Sequence, residues 1–165
     1  MTTANVTTEN FITPETLLKH WQGHRGLTRR VIEAFPEKDL FEYSIGGMRT
    51  FAQIAMEIVD LTGPGAKGLA TDDWGSGNLP HLSGVGMPVT KASLLEIWDD
   101  TTEQLNNYLP QITDYQKEIK AFGMYPGTVL SSLLYFIDNE IHHRGQGYVY
   151  LRGLGIEPPA FWDRA

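Results

Sequence analysis

Glu57, Asn139 and His143 are the residues of this chain whose types and spacing best suit the holding of a ligand. Asn139 and His143 are four apart, so on a helix they stand one turn above the other on one face. They sit in an apolar-periodic stretch from about Thr128 to Arg152. Leu130, Leu134, Ile137, Ile141 and Tyr148 fall along one stripe of it, with Leu133 and Phe136 beside it. A polar row in such surroundings is costly to bury unless an internal site requires it. Glu57 interrupts a second apolar-periodic stretch, one turn after Ile54 and one before Leu61. It reads either as a boundary residue on a solvated edge or as a carboxylate aimed inward, which stays charged only beside a cation or metal. Together the three offer an imidazole nitrogen, an anionic oxygen and a neutral amide oxygen. Facing helices can hold a divalent metal in this way, with open positions left to water or substrate. Gln146 and Tyr150 continue the line of Asn139 and His143, and Gln146 is placed to brace the imidazole or a metal-bound water.

The neighbouring polar residues have plainer readings. His20 and His24 share an i,i+4 spacing but read as surface or boundary histidines. Glu140 and Arg144 form an i,i+4 pair in the favourable order for an exposed face. His142 is one step off the site stripe and is expected to face outward. Gly145 inside a helix costs about 1 kcal/mol relative to Ala, which suggests close approach by another helix or a ligand.

Helices must position these groups. Thr13-Pro14-Glu15 starts the first, with a cap, a proline suited to the first helical position and an acid at the positive end. Leu17, Trp21, Leu27, Val31 and Phe35 carry its apolar period until Pro36 stops it. Residues 37–49 read as a connector. Thr50 caps the second helix, with Phe51, Ile54, Ala55, Ile58 and Leu61 on its apolar face, and the helix could continue past Pro64 with a kink. Ten glycines and prolines punctuate residues 62–88, which predicts a long Gly/Pro-rich loop after the second helix, anchored by Trp74 and His81 and suited to a lid or binding element. Thr90 caps a third helix with Leu94, Trp98, Leu105 and Tyr108 on one face and Glu96, Asp99, Asp100 and Glu103 solvated; Pro110 ends it. Residues 118–122 alternate weakly, as a short extended piece would, and Tyr125-Pro126-Gly127-Thr128 reads as a turn. Thr128 caps the last helix, which ends near Gly153. Phe161 and Trp162 are expected to fold back on the body or to enter a dimer interface. The fold class is all-α, a four-helix bundle in one domain over 1–165, with residues 1–12 loose.

The bulk composition narrows the functions. A formal net charge of −7 argues against a nucleic-acid-binding face, since phosphate contacts need clustered Lys and Arg. With no cysteine, disulfides, thiolate metal ligands and a cysteine nucleophile are excluded. The N-terminal residues have no basic start or apolar run, and no stretch is apolar enough to span a bilayer, so a cytoplasmic protein without a membrane partner is expected. No Gly-Lys-Ser/Thr ending opens a helix, so there is no phosphate loop.

His142-His143-Arg144-Gly145-Gln146, followed by Tyr150-Leu151-Arg152-Gly153-Leu154-Gly155-Ile156-Glu157-Pro158-Pro159, resembles the C-terminal signature of the DinB/YfiT-like superfamily. The Leu17–Phe35 helix and the Thr50–Ile58 helix resemble it too, so the likeness covers nearly the whole chain. It implies an up-down-down-up four-helix bundle, often a homodimer, with a metal site of three histidines. Members with known activity include thiol-dependent transferases and isomerases and metal-dependent hydrolases. Carried over by position, the family's histidine on the second helix falls on Glu57, the first of its last-helix pair on Asn139, and the other on His143. Nickel or zinc is the expected ion, with magnesium or manganese a harder, weaker alternative; a thiol cofactor is left open.

Two functions follow as expectations. One is a metal-dependent enzyme of transferase or hydrolase type, with Glu57, Asn139 and His143 as ligands. The alternative is a non-catalytic bundle, either a small-molecule binding module or a decayed metal site, in which the same three residues form a buried hydrogen-bonded cluster.

Overall fold

The computed structural model describes residues 12–164, Ser76 and Asn78 excepted. The N-terminal segment expected to be loose therefore lies outside the described residues, Ile12 apart. Four long helices make the body: α1 (Pro14–Ala34), α3 (Phe51–Thr71), α5 (Lys91–Tyr108) and α6 (Val129–Gly153). Two short ones, α2 (Glu37–Glu42) and α4 (Pro80–Ser83), lie in the connections. The chain is thus mostly helical.

Each long helix begins where a local cap dictates. Thr13 Oγ1 accepts from the Thr16 N–H at 3.1 Å. Thr50, Thr90 and Thr128 form reciprocal capping boxes with Gln53, Ser93 and Ser131. The second long helix does not give way at Gly63-Pro64: it runs through Pro64 to Thr71, so the irregular segment starts at Asp72 rather than at Thr62. Packing explains the difference. A Cβ at Gly65 would lie 2.7 Å from the Phe136 ring, and one at Gly68 would lie 2.2 Å from the Trp74 ring. These glycines admit neighbours instead of breaking the helix. The segment 37–49, read as a connector, contains α2, which buries Leu40.

Residues 118–128 form an antiparallel hairpin, β1 (Glu118–Ala121) and β2 (Tyr125–Thr128), with Glu118 opposite Thr128 and Ala121 opposite Tyr125. The stretch Tyr125–Thr128 is therefore a strand, and the turn lies at Phe122-Gly123, both at positive φ. Phe122 reaches from this turn to Trp74 and Phe136, with ring centroids 5.0 and 6.1 Å away.

The apolar interior is in two parts. One gathers Phe35, Phe51, Ile54, Ile58, Leu94, Trp98 and Tyr150. The other gathers Leu17, Trp21, Leu69, Leu105, Leu133, Phe136 and Ile137. Between them a belt of buried polar groups crosses all four long helices: His24, Arg25 and Thr28 on α1, Asp60 and Thr62 on α3, Thr101 on α5, and Glu140, His143 and Arg144 on α6. The buried stripe of α6 is accordingly rotated from the one read in the sequence. Leu134 and Ile141 are exposed, whereas Glu140 is fully buried.

Candidate functional site

Glu57 projects from the middle of α3 toward α6, where the one-turn spacing of Asn139 and His143 presents both to the same carboxylate. Glu57 Oε1 accepts from His143 Nε2 at 3.0 Å and from Asn139 Nδ2 at 3.2 Å. Its second oxygen, Oε2, accepts from the guanidinium of Arg49, the residue preceding the Thr50 cap. On the other side of the ring, His143 Nδ1 lies 2.7 Å from Gln146 Oε1. Tyr150 makes no hydrogen bond to the imidazole; its hydroxyl donates to the Arg49 carbonyl at 2.7 Å and so fixes the segment that carries the guanidinium. Sequence reasoning did not single out Arg49. The signal for it was weak, a lone arginine in a connector one residue before a cap.

Both ring nitrogens of His143 face acceptor oxygens, which is the environment of an imidazolium. Burial works against the charge, but hydrogen bonds to Glu57 and Gln146 together outweigh it and hold the His143 pKa above its ordinary value. The His143 hydrogen bond, opposed by burial and aided by Arg49, holds the Glu57 carboxyl far below the usual carboxylate range. The cluster therefore sets a carboxylate between a guanidinium and an imidazole whose charged form it favours, with the Asn139 amide completing the carboxylate's shell.

A three-histidine metal centre would need the lone pair of His143 Nε2, which here carries a proton toward Glu57. It would also place a divalent cation against the Arg49 guanidinium. The amide of Asn139 presents its NH2 to Glu57, not an oxygen to a shared point. Among the described residues, no three His, Cys, Asp or Glu side chains gather closely enough to hold an ion. The residues present do not fit such a centre.

Glu57 also lines a cavity of about 590 Å³. Leu61 of α3, Leu79, His81 and Leu82 at α4, Phe122, Met124 and Tyr125 of the hairpin, and Ser132, Tyr135 and Phe136 of α6 form its other walls. The size suits a small organic molecule, and apolar walls with a few polar groups are typical of such sites.

Three of the plain readings change. Glu140 and Arg144 are buried, not an exposed pair. Glu140 accepts from Trp21 Nε1 at 3.0 Å and Thr28 Oγ1 at 2.7 Å, with Arg25 3.7 Å away. Arg144 lies 3.0 Å from His24 Nδ1 and donates to Thr28 Oγ1 at 3.2 Å. His24 is buried too; burial first, then Arg144, His20 and Arg164, lower its pKa to about 3, so it is neutral. Close approach occurs at Gly147, where a Cβ would lie 2.4 Å from the Phe51 ring, and not at Gly145, which nothing approaches. His142 is exposed as expected. Phe161 and Trp162 are exposed and pack edge-to-face on each other, while Arg164 just beyond them returns to α1, 3.1 Å from His24 Nε2. Among the described residues, no helix is long and apolar enough to cross a membrane.

Comparison with known proteins follows the fold. The crystal structure of a DinB-like protein from Bacillus cereus ATCC 10987 superposes with a TM-score of 0.70 at 20% identity, covering 90% of this chain and 97% of that one. A DinB-like protein, YjoA, from Bacillus subtilis gives 0.68 at 20% identity, covering 90% and 99%. No curated protein matches the sequence. The profile of the DinB family matches residues 1–164, and with it the chain belongs to the DinB family.

Proposed function

We propose that this protein is a small-molecule-binding member of its family, an up-down-down-up four-helix bundle in which a hydrogen-bonded ion-pair cluster stands at the positions of the family's metal ligands. The observation that carries this reading is the occupancy of the Glu57 carboxylate. Oε1 receives His143 and Asn139, and Oε2 receives Arg49, so the anion is already neutralised by groups of the chain itself. The adjoining cavity supplies the volume for a ligand, and the cluster supplies one polar wall. A homodimer is part of the proposal. Leu134, Ile141 and Val149 leave an apolar line exposed on the outer side of α6, and Phe161 and Trp162 add an exposed aromatic pair.

Elemental analysis of untagged protein tests the reading. Less than about a tenth of an equivalent of zinc or nickel is expected, with no rise in melting temperature when either ion is added, since an ion that binds only the folded state would raise it. Stoichiometric metal lost in His143→Ala would overturn the proposal. It would favour the second reading, a metal-dependent transferase or hydrolase with Glu57, Asn139 and His143 as ligands. One observation speaks for that reading: Asn139 Oδ1 is buried without a hydrogen-bond partner among the described residues.

A further inference from the structure

A second carboxylate–histidine pair lies against the same cavity, and the cluster around Glu57 does not use it. Asp60 follows Glu57 by one turn of α3 and is buried. Its Oδ2 accepts two bonds from one residue across the irregular segment: the backbone N–H of His81 at 3.0 Å and the ring Nδ1 of His81 at 2.6 Å. His81 is held at two points of its own structure, main chain and ring, so the imidazole cannot swing without breaking the docking of α4. Its side chain is 8% exposed, yet the residue lines the cavity. Asp60 does not line it.

This geometry sets the tautomer. An ionised carboxylate accepts only, so the neutral imidazole must keep its proton on Nδ1. Nε2 is then an acceptor, and among the described residues it has no hydrogen-bond partner. A hydrogen bond at one ring nitrogen that defines the role of the other is the usual way a carboxylate commits a histidine to one task. His81 lines a cavity whose walls are largely apolar, with Glu57, Ser132, Tyr125 and Tyr135 among its polar members, so a partnerless acceptor there is open to a donor. An occupant of the cavity can supply that donor.

We propose that His81 is a ligand-recognition residue, with Asp60 as its positioning residue, and that the cavity takes a small apolar molecule bearing a hydroxyl or N–H donor directed at His81 Nε2. The proposal rests on the reading of the cavity as a small-molecule site and adds the chemical class of the occupant. Glu57, one turn away on α3, lines the same cavity but has its oxygens taken by His143, Asn139 and Arg49, which leaves His81 as the acceptor open to a ligand. A ligand whose polar groups only accept would leave His81 Nε2 unmatched.

Two measurements test this. The first needs no ligand: 15N NMR of histidine-labelled protein above the imidazole titration, with the His81 signals assigned by their loss in His81→Phe. A protonated Nδ1 and bare Nε2 are expected in the wild type, with a mixture of tautomers in Asp60→Asn. A wild-type Nε2–H tautomer would overturn the proposal. The second uses three probes: 4-(hydroxymethyl)benzylamine, its methyl ether, and 4-methylbenzylamine. Ligand-observed NMR and calorimetry are expected to show the hydroxyl compound binding the wild type about tenfold more tightly than the other two. In His81→Phe that preference should vanish while binding of 4-methylbenzylamine persists. Equal binding of all three by the wild type would sink the role of His81 and leave the cavity reading intact. Failure of all three to bind would sink the cavity reading itself, and this proposal with it.

Discussion

Helix α6 carries two polar clusters three residues apart, and they solve the problem of buried charge in different ways. Around Glu140 everything is sealed. The carboxylate is fully buried, takes hydrogen bonds from Trp21 and Thr28, and is flanked by Arg25 and Arg144, themselves 1% and 6% exposed. Around His143 the partners are similar in kind, a carboxylate with a guanidinium and a ring, but the carboxylate borders the cavity and its side chain is 19% exposed. The first cluster clamps α1 to α6. The second joins α3 to α6 and leaves one face open to an occupant. A charged group with no exit is an obligation of the fold, whereas one beside a cavity is available for recognition.

The contrast gives a ranked set of expectations. Glu140→Ala strands Arg25 and Arg144 without their counter-charge and is expected to cost about 3–5 kcal/mol in urea unfolding. A loss below about 1 kcal/mol would mean that the sealed cluster does no structural work.

The two clusters should also differ in their response to acid and base. His24 has a folded pKa of about 3, below its unfolded value near 6.5, so the unfolded chain binds the proton that the folded chain refuses. Its contribution is complete above 6.5 and falls below that by about 1.4 kcal/mol per pH unit, or about 2 kcal/mol by pH 5. Melting temperatures across pH 5–6.5 check this, and His24→Gln should flatten that limb.

His143 has the opposite sign. Its folded pKa is raised, so its contribution is complete below about 6.5 and is lost as the pH climbs through the folded value. Glu57→Gln is expected to cost only about 1 kcal/mol near neutrality, because the site is partly solvated and the amide can still accept one bond. It should also remove the alkaline decline. Equal losses in Glu57→Gln and Glu140→Ala would erase the distinction between the clusters.

The sequence showed most where the physics is local. Thr13, Thr50, Thr90 and Thr128 were legible as caps because a hydroxyl three residues before a free N–H needs no distant partner. Glu57, Asn139, His143 and Gln146 were legible as one constellation because helical spacing aligns three of them and interrupted periodicity marks the fourth. Glu140 and Arg144 were misread for the converse reason. Their i,i+4 spacing favours an exposed pair, and only Trp21, Arg25 and Thr28, more than 110 residues earlier, make burial tolerable. The pairing of Asp60 with His81 was equally hidden, because it depends on where an irregular segment docks. Pro126-Gly127 disguised a strand as a turn, since an edge strand tolerates what a central one would not.

Pro64 has no N–H to offer the Asp60 carbonyl one turn earlier, and Gly63, Gly65 and Gly68 surround it with residues of low helical preference. The second half of α3 is therefore helical because Gln104, Phe136 and Trp74 press upon it, not because its own residues insist. A wall held from outside yields sooner than one held from within. The order of this half of the helix is therefore on loan from Gln104, Phe136 and Trp74, and a change at any of them is felt there before it reaches the capped start of the helix at Thr50.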